Sequence, residues 1–384
     1  MAQGKAIGIL ELRGMAALMG ATDAMVKAAD VRVCGRHGIG SGWVTVVIEG
    51  EVAAVQTAID VGREEGKRYG ELITSEVIAR PEGRAVENMP HPAAIQEVEV
   101  GPRALGLLET QGLAPLIEGA DEMVKAADVE LIGWAFIGGA LCHLVVRGDV
   151  AAVQTAVDAG RRAAETAGPV NATLVLPQPI EGLGGLLPPP SAAEPESCGA
   201  LGLLETTGYV GSVGGSDAMI KAADVEILRL SIGSGGRIVS LIRGSLDSVQ
   251  AAIQEGAEAA QQVGELNVSR VISRPDPQVM ACFGGVVPSE RSAALGRAMG
   301  LIETRSTVAL VKGVDEMLKA ANVEYEGSYK VGYFLTASVI RGDVGAVRAA
   351  LDVGAEEAAR HGELVSVHLI PHPYPELEER LAHQ

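Results

Sequence analysis

Aromatic residues are scarce in this chain of 384: three Phe, two Trp and six Tyr make up 3%, while apolar residues of all kinds reach 47%. The interior must therefore be packed from Ala, Val, Leu and Ile, with Gly and Ala letting backbones approach closely. Cysteine is sparse as well. Cys34, Cys142, Cys198 and Cys282 lack Cys-x-x-Cys spacing, which excludes a disulfide framework and reads as reduced thiols of a cytoplasmic protein. Blocks of Lys or Arg are missing and the net charge is −18. A nucleic-acid partner is thereby excluded, and the acidity reads as solubility. No long apolar run is present, and MAQGKAIGIL lacks the apolar stretch of a secretory leader. No spanning helix and no membrane partner is expected.

Catalytic patterns are missing too. The turn Gly38-Ile39-Gly40-Ser41-Gly42 looks like a phosphate cradle, but no Gly-Lys-Ser/Thr follows, and its glycines lie between two strands rather than before a helix. The seven histidines, His37, His91, His143, His361, His368, His372 and His383, show neither His-Glu-x-x-His nor paired ligand spacing. Cys142 and His143 are neighbours on a strand, so their side chains point to opposite faces. No catalytic residue, no metal site and no cofactor is expected.

What is present is a fourfold repeat. IGILELRGMAALMGATDAMVKAADV at residues 7–31 returns from Leu105, Leu201 and Met299. Glu11, Glu109, Glu205 and Glu303 stand 98, 96 and 98 residues apart, and Lys27, Lys125, Lys221 and Lys319 keep the same steps. Four units follow, at 1–97, 103–180, 199–287 and 294–384. The Pro/Gly-rich linker 181–198, within the stretch PQPIEGLGGLLPPPSAAEPESCG, reads as a semi-extended tether between two tandem pairs.

Each unit reads β-α-β-β-α-β, an α+β class with a ferredoxin-like antiparallel sheet and packed helices. In the first, AIGILEL alternates as a strand and Met15 to Ala29 has helical spacing. VRVCGRH and WVTVVIEG flank the glycine turn, and LITSEVIA closes the sheet. The second helix carries the stripe Val52, Val55, Ile59, Gly62, repeated with identical spacing from Val150, Leu246 and Val344. Before it stand Glu51, Asp149, Ser245 and Asp343; Asp and Ser there predict side-chain N-caps. For Glu11 and its equivalents, helix capping or a salt bridge is the expected role.

This ordered set, LGxxE, then Asp-x-Met-x-Lys-Ala-Ala-[Asp/Asn]-Val, the glycine turn, RGDVAAVxxAxxxG and IxRP, resembles the bacterial microcompartment shell proteins of the BMC-domain family. The resemblance spans nearly the whole chain apart from the linkers. It implies four tandem BMC domains, six-domain rings that tile into shell facets in the cytoplasm, and central pores for small metabolites. Its partners would be copies of itself and other shell proteins, and it would not be an enzyme. By position, the pore turns would be Gly38, Ile39, Gly40, Ser41 and Gly42; Ile137, Gly138, Gly139 and Ala140; Ile232, Gly233, Ser234 and Gly235; and Lys330, Val331, Gly332 and Tyr333. Bulky Tyr333 and Phe334 imply a narrower opening. Lys27, Lys125, Lys221 and Lys319, with Arg80 and Arg274, would lie at ring edges, while Gln178 and His372 depart from that arginine. Whole chains fill complete rings when three of them supply two rings, a trimer in which pairs 1–2 and 3–4 each give a third of a stacked ring. A trimeric ferredoxin-like regulator that binds an effector remains the alternative.

Overall fold

The computed structural model describes residues 5–81, 98–189, 199–283, 297–331, 335–374 and 377, leaving aside the side chains of Ile39, Ile232 and Ser234. The chain divides into two compact units, 1–194 and 195–384, each holding two repeats.

The first repeat runs β1 (Ala6–Arg13), α1 (Met15–Ala28), β2 (Val31–Gly40), β3 (Trp43–Gly50), α2 (Val52–Gly66) and β4 (Glu71–Ile78). The second runs β5 (Ala104–Gln111), α3 (Leu113–Ala126), β6 (Val129–Gly138), β7 (Leu141–Gly148), α4 (Val150–Ala167) and β8 (Val170–Leu176). The third is β9 (Ala200–Thr207), α5 (Tyr209–Ala222), β10 (Val225–Ile232), β11 (Arg237–Gly244), α6 (Leu246–Val263) and β12 (Glu265–Ile272), with a short α7 (Pro277–Phe283) behind it. The fourth is β13 (Ala298–Thr304), α8 (Thr307–Ala320), β14 (Val323–Val331), β15 (Leu335–Gly342), α9 (Val344–His361) and β16 (Leu364–Ile370).

Every sheet has the order β2-β3-β1-β4 or its equivalent, and all pairings are antiparallel. The first strand of each repeat is central and hydrogen-bonded along both edges, and it is largely buried: Ile7 is 2% exposed and Leu10 and Leu12 are fully buried. β4, at the edge, alternates instead between half-buried and exposed residues, as a strand with one face toward solvent must.

The second-helix stripe lands on this central strand, but it begins one turn later than the spacing predicts. Val52, Val150 and Leu246 are 40% exposed or more, while Val55, Val153 and Val249 are fully buried. The first member sits at the opening position of its helix, beyond the sheet. The stripe ends on glycine because the paired helices meet there. A Cβ at Gly62 would lie 2.6 Å from Met25 Cγ, and Gly160, Gly256 and Gly354 face Met123, Met219 and Met317 at least as closely. The Met of Asp-x-Met-x-Lys and the last glycine of the stripe are thus two halves of one contact. Of the three expected N-caps, Ser245 accepts from Ser248 N at 3.2 Å, while Asp149 and Asp343 make no side-chain cap bond, and neither does Glu51. Their carboxylates act on the helix dipole alone.

The linker departs from a tether in its first half. Glu181–Leu186 forms a 3-10 turn, and Leu183, Leu186 and Leu187 are 1% exposed or less within the core of the first unit. Burying three leucines, at roughly 1.5–3 kcal/mol each, outweighs the freedom that a Gly-rich segment gives up. Residues 190–198 lie outside the described residues.

Candidate assembly site

Three of the four first helices start on glycine. Gly14, Gly112 and Gly208 occupy the N-cap position with φ of 98°, 106° and 97° and have no side chain to cap with. In two of them the neighbouring repeat supplies the cap. The Glu109 carboxylate, fully buried at the end of β5, accepts from Met15 N at 2.5 Å and Ala16 N at 3.3 Å. The Glu303 carboxylate accepts from Tyr209 N at 2.8 Å. Glycine is required for this approach, since a Cβ on Gly14 would lie 2.6 Å from Glu109 Oε1. Burial pushes the Glu109 carboxyl up to about 7 against the opposing pull of the Met15 and Ala16 amides and the Asn171 side chain. Burial likewise raises that of Glu303. Glu205 instead meets Arg237 Nη1 at 2.5 Å, and Glu11 accepts from Thr45 Oγ1 at 3.1 Å. Glu109 and Glu303 cap helices across repeats and Glu205 forms a salt bridge, as expected, whereas Glu11 has a hydroxyl partner instead.

The glycine turns converge in the same way. Gly14 N and Gly112 N donate to the turn carbonyls of Gly42 and Ala140 at 2.9 and 2.8 Å, fixing each turn to its own helix start. Ser41 and Ala140 take left-handed φ of 52° and 67°, a strained backbone for an L-residue. Between the first two repeats the turns touch backbone to backbone: a Cβ at Gly138 would lie 2.9 Å from Ser41 N, and one at Gly139 2.8 Å from Ser41 O. In the second unit Gly236 faces Leu335 of the next repeat as Gly42 faces Leu141. Lys330 is exposed, but Val331 is fully buried in the core, so its side chain faces away from any opening. Gly332, Tyr333 and Phe334 lie outside the described residues.

The equivalent lysines are held by aspartates four residues earlier, a spacing that brings side chains together on a helix. Lys27–Asp23 measures 2.6 Å, Lys221–Asp217 and Lys319–Asp315 2.5 Å, and Lys125 pairs with Asp121. Asp23 also accepts from Ile180 N at 3.1 Å, and Lys27 donates to the Gln178 carbonyl at 2.5 Å. Asp217 accepts from Tyr374 N at 3.2 Å. In both units, then, the aspartate of the pair on the first repeat holds the segment that follows the second, joined in the first unit by the lysine. Arg80 and Arg274 are exposed just beyond β4 and β12.

The family model described as "BMC domain" matches residues 6–81, 104–179, 200–275 and 298–373. The chain belongs to the BMC-domain family. Its BMC domains are similar to the carboxysome assembly protein CcmO of Synechococcus elongatus, 34% identical over 193 residues, which covers 49% of this chain and 70% of that protein. The CcmO of a Synechocystis strain is 35% identical over 191 residues, 48% of this chain and 64% of its own length. The bacterial microcompartment shell protein EutM of Salmonella typhimurium is 52% identical over 82 residues, 21% of this chain and 85% of that protein.

Two features of the BMC domains were not visible as motifs. A cross-strand ion pair recurs at one register position, Glu130 with Arg147 and Glu226 with Arg243, but in the first domain its polarity is inverted to Arg32 with Glu49. The comparison of RGDV with EGEV in the aligned repeats carries that signal. The second is His143, fully buried on β7, whose imidazole burial pushes down to about 3 against the opposing pull of the Ala135 backbone. Burial also raises the Cys34 thiol to about 11 and that of Cys282 to about 12, keeping both protonated. Among the described residues no group of three or more His, Cys, Asp or Glu is arranged to hold a metal ion. Nor is any helix among them long and apolar enough to cross a membrane.

Proposed function

We propose that this chain is a structural shell protein of a bacterial microcompartment, without catalysis of its own. Its BMC domains assemble into six-domain rings that tile shell facets in the cytoplasm, alongside other shell proteins. The observation that carries this reading is a head-to-tail contact used twice. Domain 2 caps the first helix of domain 1 through Glu109, and domain 4 caps that of domain 3 through Glu303. The following segment returns to Asp23 in one unit and to Asp217 in the other. A contact that joins one surface to a different surface generates a ring when its rotation closes.

Three chains supply the twelve domains of two such rings. The turns Gly38–Gly42, Ile137–Ala140, Ile232–Gly235 and Lys330–Tyr333 surround the ring axis as pores for small metabolites, their glycine amides offered to polar solutes. Light scattering with negative-stain imaging of the same peak tests the assembly. Three chains of 39.5 kDa give about 119 kDa, with six-lobed views. A clean monomer without ring views would refute the reading.

A further inference from the structure

The crevice between the first helix and the second strand is buried in three domains and open in the fourth. In domain 1 the 3-10 turn Glu181–Leu186 packs on α1 and β2. Its Leu183 is fully buried in the core that also holds Met19, with Val26 and Val33 packed against it. In domain 3 Leu377 is fully buried in the core that holds Val213, Ile220 and Ile227. The equivalent Ile117 and Leu131 of domain 2 are buried as well. In domain 4 the same three positions are Val311, Leu318 and Tyr325, which are 61%, 43% and 47% exposed. They line an open groove of about 340 Å³.

Domains 1 and 3 are covered by one device. The segment that follows the next domain brings a backbone N–H to the aspartate of the Asp–Lys pair, Ile180 N to Asp23 and Tyr374 N to Asp217, each 157 residues apart. Three residues later comes a leucine, Leu183 or Leu377, that enters the core. Domain 4 keeps the receiving half. Asp315 pairs with Lys319 at 2.5 Å, but its side chain is 48% exposed, against 8% for Asp23 and 11% for Asp217. On the strand side of the groove, Tyr325 Oη and Ser338 Oγ both meet Ser328 Oγ, at 2.7 and 2.6 Å. These hydroxyls satisfy one another, so the groove presents apolar surface to an occupant. The start of α8 is satisfied too, since Ser306 replaces the N-cap glycine and accepts from Ala309 N at 3.3 Å. What this face lacks is a strap.

We infer that the crevice of domain 4 seats a strap from a neighbouring shell-protein chain. The strap is a segment that brings a backbone N–H to Asp315 and, three residues on, a leucine into the groove of Val311, Leu318 and Tyr325. Its source rests on the ring reading above, in which the end of another BMC domain lies beside domain 4. Its chemistry is that of the two straps seen in the units. Covering the exposed apolar side chains supplies the drive for binding. The amide-to-carboxylate bond sets the register, because the N–H must stand at one fixed distance from the seated leucine.

A labelled peptide with the sequence of residues 177–188 is the probe, titrated with the full chain diluted until sedimentation shows monomers. Saturable binding is expected. Val311→Asp and Asp315→Ala each weaken it about tenfold, as does Leu183→Asp in the peptide. Val353→Asp, on α9 outside the groove and 41% exposed in the wild type, leaves binding unchanged. No binding, or equal binding by the Val311→Asp chain, overturns the seat. Where the chain stays assembled at every dilution, Val311→Asp releases chains and Val353→Asp releases none; equal assembly of the two overturns the seat. A chain that binds the peptide but never assembles keeps the seat and overturns the ring reading.

Discussion

Replacing Glu109 separates two roles of one carboxylate, acceptor and charge. As an acceptor it satisfies the Met15 and Ala16 amides at the start of α1. Glu109→Ala leaves both without a partner inside the protein, at a cost of about 1–3 kcal/mol. As a charge it is unfavourable, since burial moves the carboxyl from 4.5 to about 7. Ionising it in the folded state therefore costs roughly 3 kcal/mol. Because the folded pKa lies above the unfolded one, the folded state holds the proton more tightly. The stability present below pH 4.5 is lost as pH rises through 7. Glu109→Gln keeps an acceptor and cannot ionise, so it matches wild type near pH 4.5 and exceeds it above pH 7. Glu109→Ala falls below wild type at pH 4.5, and the gap narrows by pH 8. Urea unfolding across this range, read as differences from wild type, checks the curves, and amide exchange at Met15 and Ala16 checks the cap. Parallel wild-type and Glu109→Gln profiles between pH 5 and 8 would refute the reasoning.

Gly160→Ala drives a methyl into Met123 and to 2.8 Å from the Gly119 carbonyl; overpacking there lowers stability by about 1–3 kcal/mol, seen as a fall in melting temperature. His143→Leu replaces a buried, poorly solvated imidazole by an apolar side chain and raises stability at pH 7 by about 1 kcal/mol. The imidazole stays neutral down to about 3, so wild type loses stability as pH falls below 6.5 and the leucine variant gains further at pH 5 in thermal melts. Lys27→Ala removes the donor to the Gln178 carbonyl. Amide exchange across 180–187 then quickens several-fold, while exchange in β1 is unchanged.

The element order was legible because it rests on local periodicity: alternation in AIGILEL, the helical stripe from Val55, and the turn glycines between. The role of Glu109 was legible only as a choice between cap and salt bridge, since its partner amides lie 93 and 94 residues away. Nothing in a linear pattern says that the glycine before Met15 is empty so that another repeat can reach in. The lysine clamps were half legible: the four-residue step from Asp23 to Lys27 is in the motif, but the Ile180 amide that Asp23 receives is not. In the linker, composition misled. Glycine and proline density suggested a tether, while Leu183, Leu186 and Leu187 carried the packing signal. The first stripe residue, Val52, failed for a geometric reason, as the helix starts before the sheet begins.

The borrowed cap also changes what counts as a module. A lone first or third BMC domain, cut free, would begin its leading helix on a bare glycine with open amides and an uncovered apolar face. Grafting, shuffling or splitting this chain should therefore respect pairs rather than single repeats, with the break set among residues 190–198, where the two compact units divide.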